Sequence, residues 1–221
     1  MINMHEWFNM KKAFTMMEVI IVIVVIGILA AVVIPRSGSN KLAEAATQVV
    51  SHIRYTQHLA IVDGKFNGSD SNWYKNRWQI IFGTSASTNS MPAYTIFSDA
   101  AGGSTGQPDI SEMAVNPMDS SKLLSGGYSG ILNTANSKST KTMNLGEYGI
   151  SSYNLTGGCS GARVSFDHLG RPMRGNLSSM SGAYIAGTQR LITQTCNIVL
   201  TSSEGTVTIA IEPESGYSHI L

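Results

Sequence analysis

Glu18 is the only charged side chain between Lys12 and Arg36, and it lies near the start of a long apolar run. At about 1.5 Å rise per residue, residues 15–34 would form a helix of roughly 30 Å, the thickness of a bilayer's hydrocarbon core. A carboxylate in such a segment costs about 2.5–3.5 kcal/mol on membrane-insertion scales, so we expect Glu18 to pair with a cation. The structural alternative is that the Glu18 side chain extends to the membrane surface, since it lies close to one end of the segment.

The charges that flank the apolar run predict its orientation. Lys11 and Lys12 precede the run, which indicates a cytoplasmic N-terminus with the remaining chain on the other side of the membrane. Two simpler interpretations are a secretory signal peptide that is cut near Ser37 and Ser39, and an ordinary uncleaved anchor. Against them, the run is longer than the apolar part of a usual signal peptide, and Glu18 is unusual in a plain anchor.

The two cysteines, Cys159 and Cys196, lie far from the apolar run. Outside the cytoplasm such a pair predicts one disulfide, worth about 3–4 kcal/mol in the chain-entropy model. Two free buried thiols are the alternative.

Residue types that carry enzyme or metal chemistry are present, but not in a catalytic or metal-binding pattern. The sequence has no G-x-S-x-G elbow or P-loop, and the adjacent Asp167 and His168 would point to opposite faces of a strand. We therefore expect no enzymatic activity, no metal site and no cofactor. Calcium binding by loop acids stays open, although no D-x-D-x-D-G pattern occurs among Asp63, Asp70, Asp99, Asp109 and Asp119.

Two kinds of element would position these groups. Residues 35–64 predict an amphipathic helix that kinks at Pro35, ends near Gly64 and carries the apolar stripe Leu42, Ala46, Val49, Ile53 and Ala60. Residues 65–221 predict strands in RWQIIFG, AYTIFSD, ARVSFD (with Val164 and Phe166 inward) and the hairpin CNIVLTSSEGTVTIAIEP, separated by long polar loops over 83–92 and 98–142. The expected fold is α+β, a long N-terminal helix packed on an antiparallel sheet or small two-sheet sandwich.

The N-terminal residues resemble those of type IV prepilins and type II secretion pseudopilins. The shared pattern runs from Lys11 to Pro35: basic residues, a small residue, FTMMEV, a Val/Ile-rich run, GILAA and proline. The resemblance implies a leader over residues 1–13, cleavage by a prepilin peptidase between Ala13 and Phe14, N-methylation of Phe14, and a membrane and assembly helix over 14–34. Glycine is usual where this chain has Ala13. Met10 is an alternative start, which would leave a four-residue leader.

The same resemblance implies a role for Glu18. In the family this glutamate pairs with the N-terminal amine of a neighbouring subunit as the helices bundle into a filament. Pro35 belongs to the same assembly segment, and residues 65–221 would be a periplasmic β-rich domain with the pilin fold.

Two C-terminal segments resemble the last strands of GspH/FimT-type subunits: ARVSFDHLGRP, with Phe166, Gly170 and Arg171, and the ending with Pro213 and Gly216. This implies a minor subunit of a type II secretion pseudopilus or type IV pilus, at the filament tip. Its partners would be other pilin or pseudopilin subunits, the prepilin peptidase, the inner-membrane assembly platform and secreted cargo. The expected location is the inner membrane, with the C-terminal domain in the periplasm, and then the filament.

The main alternative is a DNA-binding minor pilin that serves natural transformation. Phosphate binding needs clustered Lys or Arg, and the basic residues near the C-terminus are Arg163, Arg171 and Arg174. The tail itself carries Glu212 and Glu214 but no Lys or Arg, and the formal net charge is only +1. We therefore rank nucleic-acid binding below a structural role in a filament.

Overall fold

The computed structural model describes residues 14–33, 40–100, 103–128, 132–184 and 190–221. The chain divides into two compact units, Met1–Ser39 and Asn40–Leu221, which are described separately. The first unit contains helix α1, Met16–Val33. Ala13, the last residue of the predicted leader, and Pro35 of the predicted assembly segment lie outside the described residues.

The second unit begins with helix α2, Lys41–Val62. Asn40 caps its N-terminus, since the Asn40 Oδ1 accepts a hydrogen bond from the Ala43 N–H at 3.0 Å. The helix ends when the Asp63 N–H bonds to the Leu59 carbonyl at 2.8 Å, one residue before Gly64. The predicted apolar stripe faces the core, with these members buried: Ala46, Val49, Ile53 and Ala60.

The described residues of the second unit form ten strands after α2. They are β1 Trp78–Thr84, β2 Pro92–Ser98, β3 Val115–Asn116, β4 Asp119–Leu123, β5 Ile150–Gly157, β6 Arg163–Phe166, β7 Pro172–Arg174, β8 Cys196–Ser202, β9 Gly205–Ile211 and β10 Ser218–Ile220. The first sheet has the order β2-β1-β6-β7, the second has the order β10-β9-β8-β5, and β3-β4 forms a separate hairpin. All of these strand pairs are antiparallel.

One core joins α2 to both four-stranded sheets. Alternate residues of a strand point to opposite faces, and the inward set of β6, Val164 and Phe166, is fully buried as predicted. The second sheet contributes alternate residues of β8 and β9: Ile198, Leu200, Ile209 and Ile211. The expected α+β fold, with a helix on antiparallel sheets, is confirmed.

The long polar stretch between residues 98 and 142 differs from its prediction as a loop. Its described residues pack along the outer edge of β2, where the Ile96 N–H bonds to the Leu124 carbonyl and the Ala114 N–H bonds to the Ile96 carbonyl, both at 2.9 Å. Leu124 and Leu132 are fully buried. The polar composition did not predict this packing, because Ser and Thr side chains here bond to backbone carbonyls of the same segment.

The predicted disulfide is present. Cys196 opens β8 and Cys159 lies just beyond β5, and the two Cα atoms are 4.8 Å apart. The bond therefore closes the end of the β5–β8 pair, and its 37-residue loop predicts a contribution of about 3–4 kcal/mol to stability.

Candidate functional site

The start of α1 is organised by a reciprocal pair of hydrogen bonds. The Glu18 N–H donates to the Thr15 Oγ1 at 3.2 Å, and the Thr15 N–H donates to the Glu18 Oε2 at 3.3 Å. This is a capping box, which satisfies two backbone donors that the first turn of a helix leaves free. Glu18 therefore has a local structural role in addition to the ion pair predicted for it.

The capping box has a sequence signal that our prediction did not use. Thr15 and Glu18 are spaced as T-x-x-E immediately before an apolar run, which is the signature of this motif. The carboxylate also lies beside the positive end of the helix dipole, which favours a negative charge there.

The remaining surface of α1 is apolar on every side. Glu18 is its only charged residue, and the side chains from Met16 to Ala30 are all exposed. Phe14, the predicted methylation site, precedes the helix and is 81% exposed. A helix with apolar side chains all round is typical of a buried or membrane-embedded environment. Among the described residues, no helix combines the length and the apolarity that crossing a membrane requires.

The three arginines proposed for nucleic-acid contact are not gathered on one surface. Arg163 is buried, and its Nη1 donates to the Gly106 carbonyl at 2.7 Å and to the Gln79 Oε1 at 3.2 Å. Arg174 is exposed and lies opposite Val164 in the β6–β7 register, so it belongs to the other face of the sheet from Arg163.

Arg171, the third arginine, is held in a turn. Its Nη2 and Nε atoms both lie 2.8 Å from the Asp167 Oδ2. Of the three arginines, only Arg174 is exposed. It forms no side-chain ion pair with the described residues.

Asp167 organises the turn between β6 and β7. Its Oδ1 accepts hydrogen bonds from the Leu169 N–H at 3.0 Å and the Arg171 N–H at 2.9 Å. Burial alone would raise the pKa of the Asp167 carboxyl, but the hydrogen bonds from the Arg171 backbone and side chain outweigh burial and hold the pKa below its usual value.

Asp167 and His168 lie where β6 runs into the turn, and the two side chains differ in burial. The Asp167 side chain is fully buried, whereas His168 is exposed. The Tyr184 hydroxyl donates to the Asp167 Oδ2 at 3.2 Å and lies 3.4 Å from the His168 Nδ1. These contacts anchor the turn to the segment that follows Met180.

The two C-terminal motifs meet at one side chain of α2. The Gln57 Nε2 donates to the Gly170 carbonyl and to the Ser215 carbonyl, each at 2.8 Å. Gly170 and Gly216 both have positive φ, and a Cβ on Gly216 would lie 2.5 Å from the Gln57 Nε2 and 2.6 Å from the Gly170 carbonyl oxygen. The Gly-Arg turn and the Pro-x-x-Gly turn are therefore a single packing unit on α2.

Within the described residues, no group of three or more His, Cys, Asp or Glu side chains is arranged to hold a metal ion. The loop acids considered for calcium do not form such a group within the described residues. Asp63, for example, accepts a hydrogen bond from the Trp78 Nε1 at 3.1 Å and pairs with the Lys65 ammonium.

Comparison with known protein families adds an independent finding at the N-terminus. The prokaryotic N-terminal methylation motif matches residues 8–34, which include the capping box and α1. No curated protein and no solved structure matches the chain. The N-terminal segment is therefore similar to that of type IV pilin-like proteins, and the α+β fold of the second unit is consistent with a pilin.

Proposed function

We propose that the chain is a minor pilin or pseudopilin of the GspH/FimT type, cut between Ala13 and Phe14 by a prepilin peptidase and methylated on Phe14. The observation that carries the proposal is the methylation motif at residues 8–34, which coincides with a capped helix whose only charged residue is Glu18. The helix would insert in the inner membrane and then bundle with the helices of other subunits. An all-round apolar surface suits both environments.

Assembly would give Glu18 its second partner. The Glu18 carboxylate lies at the first turn of α1, four residues from the Phe14 nitrogen that cleavage would turn into a charged amine. A buried carboxylate regains much of its desolvation cost from a cation, and it is strongly destabilising when the cation is absent. We propose that the amine of a neighbouring subunit is that cation, so that the pair sets the register of the bundled helices.

The second unit would be the periplasmic domain. Its fully formed core and its disulfide support a domain that is stable in an oxidising compartment. Its proposed partners are other pilin or pseudopilin subunits, the assembly platform and secreted cargo. Placement at the filament tip is supported by the polar composition of residues 98–142 alone, since the described part of that segment packs on β2.

We further propose a non-enzymatic role, and we do not propose DNA binding. Phosphate binding needs several cations on one surface, whereas Arg163 is buried and Arg171 is paired with Asp167.

The experiment that tests the proposed function is intact-mass analysis of the chain expressed with and without an active prepilin peptidase. We expect loss of every residue up to Ala13 and a gain of one methyl group, only when the peptidase is active. The same mass before cleavage distinguishes a start at Met1 from a start at Met10. Ala13→Gly is the matched control and should be cut at least as completely. An uncut wild-type chain beside a cut Ala13→Gly chain would contradict native processing at this site.

A further inference from the structure

The two four-stranded sheets have four outer edges, and those of the first sheet are both covered. Residues 113–126 bond along β2, as described above. The outer edge of β7 is covered by the segment after residue 190, where the Arg174 N–H bonds to the Arg190 carbonyl at 2.7 Å and the Ile192 N–H bonds to the Pro172 carbonyl at 2.9 Å. Such cover prevents an edge from pairing with another chain.

The second sheet has one short edge and one long edge. Strand β10 has three residues, whereas β5 has eight, and within the described residues β5 pairs with β8 alone. The Gly158 N–H bonds to the Thr195 carbonyl at 2.9 Å, and hydrogen-bonded pairs alternate along an antiparallel ladder. Ser152, Asn154 and Thr156 therefore bond to β8, and the N–H and C=O groups of Tyr153 and Leu155 point away from the sheet.

The side chains of β5 also suit pairing with another strand. The sequence Ile-Ser-Ser-Tyr-Asn-Leu-Thr-Gly lacks the lysine, other charges and proline that usually block an open edge. On one face, Tyr153 and Leu155 are only half-buried against the core, and the Tyr153 ring lies 5.5 Å from that of Phe82. On the other face, Ser152, Asn154 and Thr156 are exposed.

We propose that β5 is a strand-addition site for an extended segment of another polypeptide. The unpaired backbone groups of Tyr153 and Leu155 would bond to the backbone of that segment. Its apolar residues, at every second position, would complete the cover of the Tyr153 and Leu155 side chains, and its alternate residues would be polar. Backbone pairing supplies affinity in this mode, and the alternate side chains supply selectivity.

A second copy of the chain is the less suitable occupant. Two β5 edges paired antiparallel would be related by a two-fold axis across the strands, which reverses one subunit relative to the other. Such a pair closes at two copies and cannot extend along a filament, an argument that rests on the proposed function. The strand-addition site itself does not depend on it.

The probe is a fluorescein-labelled peptide with the sequence of residues 197–202, Asn-Ile-Val-Leu-Thr-Ser. In the folded chain these residues belong to β8 and pair with the inner edge of β5. Binding to the full mature chain in detergent micelles is measured by fluorescence anisotropy. The control peptide is N-methylated at the positions of Ile198, Val199 and Leu200, which keeps the side chains and removes the backbone donors of both edges. We expect saturable binding by the first peptide, weaker by at least about tenfold for the second.

Variants of Leu155 locate the binding on β5. Leu155→Pro removes an outward N–H that β8 does not use, whereas Leu155→Val keeps it, so only the proline variant should lose binding. If Leu155→Pro does not fold, the test uses amide hydrogen exchange of the wild-type chain instead. Addition of the peptide should then protect the amides of residues 150–157 from exchange. The proposal is overturned if no saturable binding is found up to about 1 mM peptide, or if the methylated peptide binds as tightly as the unmethylated one. It is also overturned if a folded Leu155→Pro chain binds the peptide as tightly as the wild type, or if peptide leaves amide exchange over residues 150–157 unchanged. A wild-type dimer that Leu155→Pro dissolves would also overturn it, because the edge would then belong to a second copy.

Discussion

Thr15 and Glu18 cap the start of α1 for each other: the Thr15 N–H bonds to the Glu18 carboxylate at 3.3 Å, and the Glu18 N–H bonds to the Thr15 hydroxyl at 3.2 Å. The cap is one role of Glu18, and the proposed ion pair would be a second role that mutation can separate from it. The cap needs a hydrogen-bond acceptor on residue 18, which glutamine also provides, whereas an ion pair with a subunit amine needs the negative charge.

We predict that Glu18→Gln keeps the helix start but fails in assembly. Its incorporation into filaments should fall at least about tenfold, as should that of Glu18→Ala, because an unpaired amine among apolar helices costs several kcal/mol. The measurement is the amount of protein in sheared filaments, with backbone NMR shifts of residues 15–18 in micelles as the readout of the cap.

Thr15→Ala is the matched control for this prediction. It removes the other half of the capping box, at a cost of about 1 kcal/mol, and leaves the charge in place, so it should still assemble. Wild-type assembly by Glu18→Gln would mean that the cap alone explains the glutamate.

The close packing of Gly216 on α2 predicts a large difference between two glycine substitutions. Gly216 and Gly161 have nearly the same backbone, with φ of +64° and +69°, but nothing lies within 4 Å of a Cβ on Gly161. Alanine should cost about 1–2 kcal/mol at either position for the left-handed backbone. Gly216→Ala should cost a further 1–3 kcal/mol or so, because its methyl group meets Gln57 and the Gly170 carbonyl.

Urea unfolding of the two alanine variants measures this difference. Gln57→Ala, which removes both hydrogen bonds to the two turns, provides a third comparison and should relieve part of the Gly216→Ala clash in the double variant. Equal destabilisation by Gly216→Ala and Gly161→Ala would show that the two turns are not closely packed on α2.

The Asp167–Arg171 pair predicts how stability depends on pH. Since the pKa of Asp167 is lowered in the folded chain, its contribution is present above the unfolded pKa of about 3.9 and is lost as the pH falls through the folded pKa. Arg171→Gln should raise the folded pKa of Asp167, lower stability at pH 7 by about 1.5–3 kcal/mol, and move acid unfolding to higher pH.

Acid-unfolding midpoints followed by circular dichroism, together with the ¹³C shift of the Asp167 carboxyl, check this prediction. Arg174→Gln is the control, because that side chain is exposed and makes no ion pair with the described residues. Identical acid midpoints for Arg171→Gln and the wild type would show that the turn does not depend on the pair.

Much of the fold follows from local patterns that depend on no distant partner. The apolar residues of α2 recur at helical spacing, and β1, β2, β6, β8 and β9 are rich in aromatic and β-branched residues, so each element could be predicted from its own sequence. Strand β5 could not, because its serine, asparagine and threonine residues become a strand only through the register with β8.

The sequence by itself determined the N-terminal motif, the alternation of the main strands and the pairing of two cysteines, since each depends on neighbouring residues or on a unique pair. Tertiary structure decided the rest. It separated Arg163 from Arg174, because successive residues of a strand face opposite ways, and it brought Gly170 and Gly216 to Gln57 across more than a hundred residues of chain. It also covered both outer edges of the first sheet and, within the described residues, gave β5 no strand partner besides β8, an outcome that is set by which strands become neighbours and that no single segment specifies.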